Sequence, residues 1–543
     1  MNDIAKLNNL AEPQFPSDQN ISSEAQAMPD SKTPGLSERL ESEFREKEAQ
    51  ALAMGGERKL GLRAEQGVLN ARSRVDLLLD EDSFVESGRF AVSSFSEEAA
   101  AKTPADGKIA GYGKIAGRWC AVVSNDFTVM GASSSLTNAK KIAHMKRQAA
   151  KRGMPMIFLG ESSGARLPDT MGARGMGLGL GNDPAQYQRK RETPWAAAVL
   201  GQCYGSSFLY TCCSDFSVMR KGAVMAVSSP RLIEMATNEK IDPQQLGGWK
   251  VHVDGTGLID KVVESDEEAL QAIKSFLSYL PSSNKEAPPV HDVPAGSGEG
   301  MKDILSFLPE TRTRVYDMRK IIKTIVDKDS FFELKERFGK VVVTALARID
   351  GHTVGIYANN PINKGGVLDV DACDKIQSFL VLCDSFNIPI VSLVDTPGFV
   401  IGAEAERRKA TGKIVNFMNA LQLVTVPKIS IIIRKSYGQA FLNMGGGRNS
   451  DEVVAWPTAE VSFMTPRFAA NIAYGLTPED EGFDDAMVKM DRENNVWEMA
   501  AVYAIQDVIR PQDTREYLKR VLSAHRADGA IGDHELRNWP TSY

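Results

Sequence analysis

Two short stretches carry the residues best suited to chemistry, CYGSSFL at residues 203–209 and SYGQAFL at 436–442. The Tyr-Gly and Phe-Leu pairs recur, and Tyr204 and Tyr437 stand 233 residues apart. Each stretch follows an apolar run and precedes another. Glycine at such a junction lets the backbone turn sharply and come close to a ligand, and the first N–H groups of a helix starting there face outward without partners. That combination is an anion hole, a pair of backbone donors for an oxygen that gains negative charge. The plainer reading is a tight strand-to-helix connection that was copied.

The copying extends well beyond the two turns. DEDSFVE (80–86) returns as DKDSFFE (327–333), and KIAGRWCAVVSND (114–126) as RIDGHTVGIYANN (348–360). KKIAHMKRQAAKRGMPMIFLGESSG (140–164) returns as DKIQSFLVLCDSFNIPIVSLVDTPG (374–398). Pro155 and Pro389, and Gly164 and Gly398, are each 234 residues apart. A near-constant offset over ordered landmarks marks an internal duplication. Each half alternates strand and helix, which predicts an α/β fold. In each half a buried strand ends in a glycine-containing loop, 160–166 and 395–402, ahead of the Tyr-Gly turn.

The expected organisation is a disordered polar tail over 1–36, an N-terminal domain over 37–285, a Pro/Gly/Ser-rich linker, and a C-terminal domain over 301–543. A charged helix is expected from Ser37 to Ala53, stopped by Gly55-Gly56, and a capped helix in SSLTNAKKIAHMKRQAAKRGMP. Length fits two domains or more, since a domain averages about 150 residues. The chain is 43% hydrophobic and 25% charged with a net charge of −6, which gives no general affinity for nucleic acid or membrane. No apolar run approaches the roughly 18 residues of a membrane helix. The six cysteines form no CxxC pair and the six histidines no HExxH, so no metal site is expected, and the cysteines read as core residues of a reducing, cytoplasmic compartment.

LNARSRVDLLLDEDSFVE, GYGKIAGRWCAVVSNDFTVMGASSS, ESSGARLPD, CSDFSVM, TNEKIDPQQLGGWKVH, GGVLDVDACDKIQSFLVLCDSFNIPIVSLVDTPGF and VVAWPTAEVSFM, in that order, make the chain resemble a known family from about residue 40 onward. It is similar to the carboxyltransferase (β) subunits of biotin-dependent acyl-CoA carboxylases, the propionyl-CoA carboxylase β group. The resemblance implies two crotonase-like domains, the first binding acyl-CoA and the second carboxybiotin held on a biotin carboxylase and biotin carboxyl carrier partner. It implies a homo-oligomeric, hexameric assembly in which the two kinds of site meet between subunits. One pair of backbone amides, at Gly205 and Ser206, would hold the thioester oxygen, and another, at Gln439 and Ala440, the ureido oxygen of biotin. Gly164, Ala165, Arg166, Tyr204, Tyr437, Gly438, Phe441 and Leu442 would line substrate. The ureido nitrogen would take the α-proton itself, so no side-chain base is called for.

The chain departs from that pattern. Ser206 and Gln439 stand where glycine is common, Leu442 where an acyl-pocket Asp is common, and Ser163 replaces a glycine. A positive φ at Ser206 or Gln439 would strain the backbone. Residues 168–195 form a longer connection whose glycine-rich core is expected to be a mobile loop over the CoA site. Lys140, Lys141, Lys146, Arg147, Arg166 and Arg174 are candidates for the CoA phosphates, with Arg166 foremost. AMVKM (486–490) resembles a biotin-attachment sequence with the wrong spacing, and Lys489 is not expected to carry biotin. Propionyl-CoA is the default substrate; the alternatives are the carboxyltransferase part of a biotin-dependent acyl-CoA decarboxylase and an inactive scaffold.

Overall fold

A computed structural model of the chain describes residues 35–179, 187–526 and 531–540. Most of the expected tail therefore lies outside the described residues. The chain divides at Lys47 into a short unit and one large unit, 48–543. A charged helix, Leu36–Leu52, covers the division.

The duplication is visible strand for strand. The first sheet contains β1 (Val85–Glu86), β2 (Lys108–Ile115), β3 (Arg118–Asn125), β4 (Met156–Ser163), β5 (Trp195–Tyr204), β6 (Phe216–Arg220), β7 (Val224–Ala226) and β8 (Lys261–Val263). The second contains β9 (Phe332–Leu334), β10 (Val342–Ile349), β11 (His352–Asn359), β12 (Ile390–Thr396), β13 (Lys428–Tyr437), β14 (Glu452–Ala455), β15 (Glu460–Ser462) and β16 (Asp507–Val508). Their orders are β1-β2-β3-β4-β5-β6-β8 with β7 on β5, and β9-β10-β11-β12-β13-β14-β16 with β15 on β13. In both, the first three strands pair antiparallel and the rest parallel. This is a two-domain crotonase-like α/β fold.

Repeated local chemistry builds the repeated parts. The β2–β3 hairpin turns on Ala116-Gly117 and the β10–β11 hairpin on Asp350-Gly351, both with positive φ at the two positions. Asp80 accepts the amides of the first turn and Asp327 those of the second. The central strands are buried on both faces and read as near-continuous apolar runs, as parallel strands covered by helices do. The expected capped helix is Leu136–Arg152, where Ser135 and Asn138 bond each other's backbone, and Gly153 closes it with φ +67.

The halves are packed together rather than strung on a loose linker. One hydrophobic cluster includes Phe216, Phe276 and Tyr279 of the first half with Leu334, Phe379 and Phe386 of the second. The rings of Phe216 and Phe276 stack at 4.7 Å, and Phe332 of β9 closes on Phe216 at 5.6 Å. The Pro/Gly/Ser-rich stretch over 281–298 holds no helix or strand, yet it is tied down. Asn284 is buried and accepts from Asn387, and the His291 amide donates to Gly351. A correction concerns 168–195, where Gly172–Gly179 is a helix rather than a loop; residues 180–186 lie outside the described residues.

Candidate active site

In the first half, β5 ends at Tyr204, and Gly205 turns the chain at φ +67, ψ −135 into the helix Ser206–Cys212. In the second, β13 ends at Tyr437, and Gly438 turns at φ +60, ψ −144 into the helix Gln439–Asn443. Only glycine takes these angles at low cost. Space adds to this, because a Cβ at Gly205 would lie 3.1 Å from the Gly164 Cα, and one at Gly438 3.1 Å from the Phe463 carbonyl oxygen, both tight contacts. Neither helix start has a side-chain cap, so the first amides of each keep no intrahelical or capping partner. Ser206 and Gln439 lie within the helices and are not among the positive-φ residues. The strain that their side chains threatened falls instead on the preceding glycine, which absorbs it.

A second segment meets each turn. In the first half the Ser134 amide donates to the Gly164 carbonyl and the Arg166 amide to the Ser134 carbonyl, both at 2.8 Å. In the second, Leu368 and Gly398 pair in the same way at 2.9 Å, and Val400 with Leu368 at 2.8 Å. Gly164 (φ +105) and Gly398 (φ +129) both occupy glycine backbone regions, and their amides reach the Ser162 and Thr396 hydroxyls. β4 and β12 each carry a register irregularity just before this point, at Gly160/Ser162 and Val394/Thr396. Such bulges re-aim the chain at functional edges.

The structure thus brings Gly164 and Ala165 against Tyr204 and Gly205, with Ser206 next in line, and in the other half sets Tyr437, Gly438, Gln439, Ala440, Phe441 and Leu442 in one turn. The Gly438 amide donates to Ser462 at 2.9 Å and the Phe441 amide to Gly438 at 3.1 Å, so Gln439 and Ala440 carry the remaining first-turn amides of that helix. The duplication aligns Ser206 with Gln439 and Ser207 with Ala440. Gln439 and Leu442 are exposed and Ala440 is fully buried. The Tyr437 hydroxyl donates to Glu460 at 2.8 Å, and burial together with that carboxylate pushes its phenol well up. Ser163 fits over Gly131, where a Cβ would lie 2.6 Å from the serine Oγ.

Arg166 sits elsewhere than expected. It is 3% exposed, and its guanidinium is held by the buried Asp106 carboxylate at 2.5 Å and by Ser133. Lys141 donates to the carbonyls of Gly88, Ala105 and Lys108, and burial lowers its amine to about 8. Lys146 is buried over the Trp195 and Tyr210 rings. Of the six basic candidates, Lys140, Arg147 and Arg174 remain exposed. Arg174 lines a cavity of about 330 Å³ with Phe95, Leu136, Asp169, Met171 and Leu178. The second half has a cavity of about 350 Å³ at the corresponding place, between Val370, Phe399, Val400, Ala405 and Arg408.

Sequence reasoning missed the polar supports. Lys108 is fully buried, its amine lowered by burial to about 7, and donates to the Ala132 carbonyl, which the Ser162 hydroxyl also reaches. Glu161, one residue before Ser162, takes Arg63 at 2.7 Å and Arg74 at 2.8 Å, and Arg74 also holds Asp266. Isolated Lys or Glu residues in apolar runs were the available signal, readable only as buried charge in need of a partner.

Fold and turns together define a two-domain protein of the crotonase-like class with one glycine-led, uncapped helix start in each half. Residues 63–530 match the Carboxyl transferase domain family. The chain is 35% identical over 494 residues to the propionyl-CoA carboxylase carboxyltransferase subunit of Haloferax mediterranei, with 88% of this chain and 94% of that one covered. It is 33% identical over 479 residues to the methylmalonyl-CoA decarboxylase subunit alpha of Veillonella parvula, covering 87% and 92%. Among solved structures, the transcarboxylase 12S hexamer with methylmalonyl-coenzyme A and methylmalonic acid bound superposes with a TM-score of 0.84 at 32% identity, covering 92% of this chain and all of that one. The chain belongs to the carboxyl transferase family of biotin-dependent enzymes.

Proposed function

We propose that the chain is the carboxyltransferase subunit of a biotin-dependent acyl-CoA carboxylase, and that it moves a carboxyl group from carboxybiotin on a partner protein to the α-carbon of an acyl-CoA, propionyl-CoA in the first instance. The observation that carries this reading is the pair of uncapped helix starts behind Gly205 and Gly438, one in each half. We assign the acyl-CoA to the N-terminal domain, 37–285, and carboxybiotin to the C-terminal domain, 301–543.

A thioester α-proton is weakly acidic, and its loss places charge on the thioester oxygen. Amides at Gly205 and Ser206 donate to that oxygen, with Ser207 the counterpart of Ala440, and a preorganised donor of this kind contributes on the order of 3 kcal/mol. Gln439 and Ala440 hold the second oxygen, on the ureido group, while Tyr437 and Gly438 fix their turn. Carboxybiotin supplies the carboxyl group and, once discharged, a ureido nitrogen basic enough for the α-proton. Phe441 and Leu442 face the acyl side, and an apolar Leu442 favours an uncharged acyl chain. Arg174, Lys140 and Arg147 remain for the CoA phosphates. Tyr204 and the Gly164–Ala165 loop complete the wall against the thioester. The assembly assigned to this chain is a homohexamer working with a biotin carboxylase and biotin carrier partner.

The test is carboxyl transfer by the purified subunit with its biotinylated partner, ATP, labelled bicarbonate and acyl-CoAs from acetyl to branched C5. Acid-stable label in one acyl-CoA establishes reaction and substrate together. No label in any, with the partner still carboxylating its own biotin, overturns the reading. Similarity to a decarboxylase subunit favours a second direction, tested by loss of label from methylmalonyl-CoA.

A further inference from the structure

We infer that the Ser206 hydroxyl is a third donor at the N-terminal anion hole, held in place by Ser134. The inference rests on the acyl-CoA reading above. Its basis is a contact found in one half only. The Ser134 and Ser206 Oγ atoms lie 2.8 Å apart. Two hydroxyls carry two protons, and the bond between them uses one. Either oxygen can be the donor in that bond; we take Ser134 as the donor, which leaves the other proton on a half-buried hydroxyl at the first residue of the helix, beside the amide already assigned to the thioester oxygen. With Ser134 donating to Ser206, the Ser206 proton points away from Ser134, and an oxygen gaining charge at the helix start is the acceptor within reach. A hydroxyl that accepts one bond while donating another is also a stronger donor, because the two bonds polarise each other.

Ser134 is fixed from every side. Its amide and carbonyl are bonded to Gly164 and Arg166. The preceding Ser133 carbonyl accepts from Asn138 and Arg166, and the following Ser135 hydroxyl donates to Asp106. Asp106 is fully buried and pairs with Arg166. This assigns Arg166 a role the sequence did not suggest, as a positioning residue acting through the Ser133–Ser135 segment.

The second half is the internal control. Leu368 bonds Gly398 as Ser134 bonds Gly164, Val400 stands in the place of Arg166, and Gln439 in that of Ser206. Leu368 has no hydroxyl, and the Gln439 amide nitrogen is turned to Asn443 at 3.1 Å. The copied turn therefore presents backbone donors alone in one half and backbone donors plus a hydroxyl in the other. The extra donor lies in the half assigned to the thioester oxygen.

Four full-length variants test this, Ser206→Ala, Ser206→Thr, Ser134→Ala and the double Ser134→Ala/Ser206→Ala, each assayed with the biotinylated partner and acyl-CoA. Ser206→Ala is expected to lower kcat roughly ten- to a hundredfold, as for loss of one oxyanion donor, with KM for acyl-CoA within about twofold. Ser206→Thr is expected to keep most of the rate. Ser134→Ala is expected to lower kcat several-fold, and the double variant to fall no further than Ser206→Ala. Thermal melting reports folding for each. Ser206→Ala with kcat within about twofold of the parent overturns the inference alone. An equal fall in Ser206→Thr, with melting unchanged, also overturns it. A parent that transfers no carboxyl group to any acyl-CoA overturns the underlying reading, and this inference with it.

Discussion

Gly205 and Gly438 are constrained in conformation and in space at once. Each has a positive φ and backbone about 3.1 Å from where a Cβ would sit. Gly205→Ala and Gly438→Ala are expected to reduce carboxyl transfer by at least about tenfold and to lower stability by roughly 1–3 kcal/mol. Kinetics and urea unfolding on the same preparations separate the two effects. Arg166 and Arg174 are near in sequence yet opposite in role. Removing the buried Arg166 leaves Asp106 uncompensated in the interior, so Arg166→Ala is expected to cost about 3–5 kcal/mol of stability. Exposed Arg174→Ala should leave the melting temperature within a degree or two and raise KM for acyl-CoA several-fold. Equal KM for parent and Arg174→Ala would remove Arg174 from the phosphate site.

At the scale of elements, the second-half helix Val370–Ser385 is anchored by Lys375, whose amine is fully buried and donates to the carbonyls of Phe338 and Val342. Burial lowers it from 10.5 to about 7. The folded chain thus releases this proton near neutrality, while the unfolded chain keeps it up to about 10.5. Wherever the unfolded state binds more protons, stability rises with pH. Lys375→Met has no proton to lose, so the melting temperature of the parent minus that of the variant is expected to increase from pH 7 to pH 9.5. A constant difference would mean that the amine titrates near its ordinary value. The alternation of strands and helices was legible here from the apolar runs and the repeat. The helix Gly172–Gly179 was not, because glycine's low helix propensity argued for a loop.

At the scale of the molecule, the halves share a hydrophobic cluster and are bound by the C-terminal segment. Leu536 is fully buried and its amide donates to Asp384, while Arg191 of the first half donates to the carbonyls of Arg537 and Trp539. Calorimetry is expected to show one cooperative transition for both halves, and two well-separated transitions would contradict a shared core. Leu536→Ala is expected to cost about 2–5 kcal/mol, the usual range for a buried leucine.

The sequence alone determined what repetition and local geometry encode. The constant offset gave two α/β halves, the Tyr-Gly pairs gave the place of both strand-to-helix turns, and the ordered motifs gave the family. These are short-range signals, since a glycine turn or an apolar strand states its conformation within a few residues. The tertiary structure decided which charges face water and which face each other. Arg166 reads as a phosphate ligand in ESSGAR until Asp106, 60 positions earlier, closes on it. Ser134 reads as one serine among three until its hydroxyl meets Ser206. Burial depends on contacts far apart in the chain, and a single sequence does not state which distant residues those contacts join.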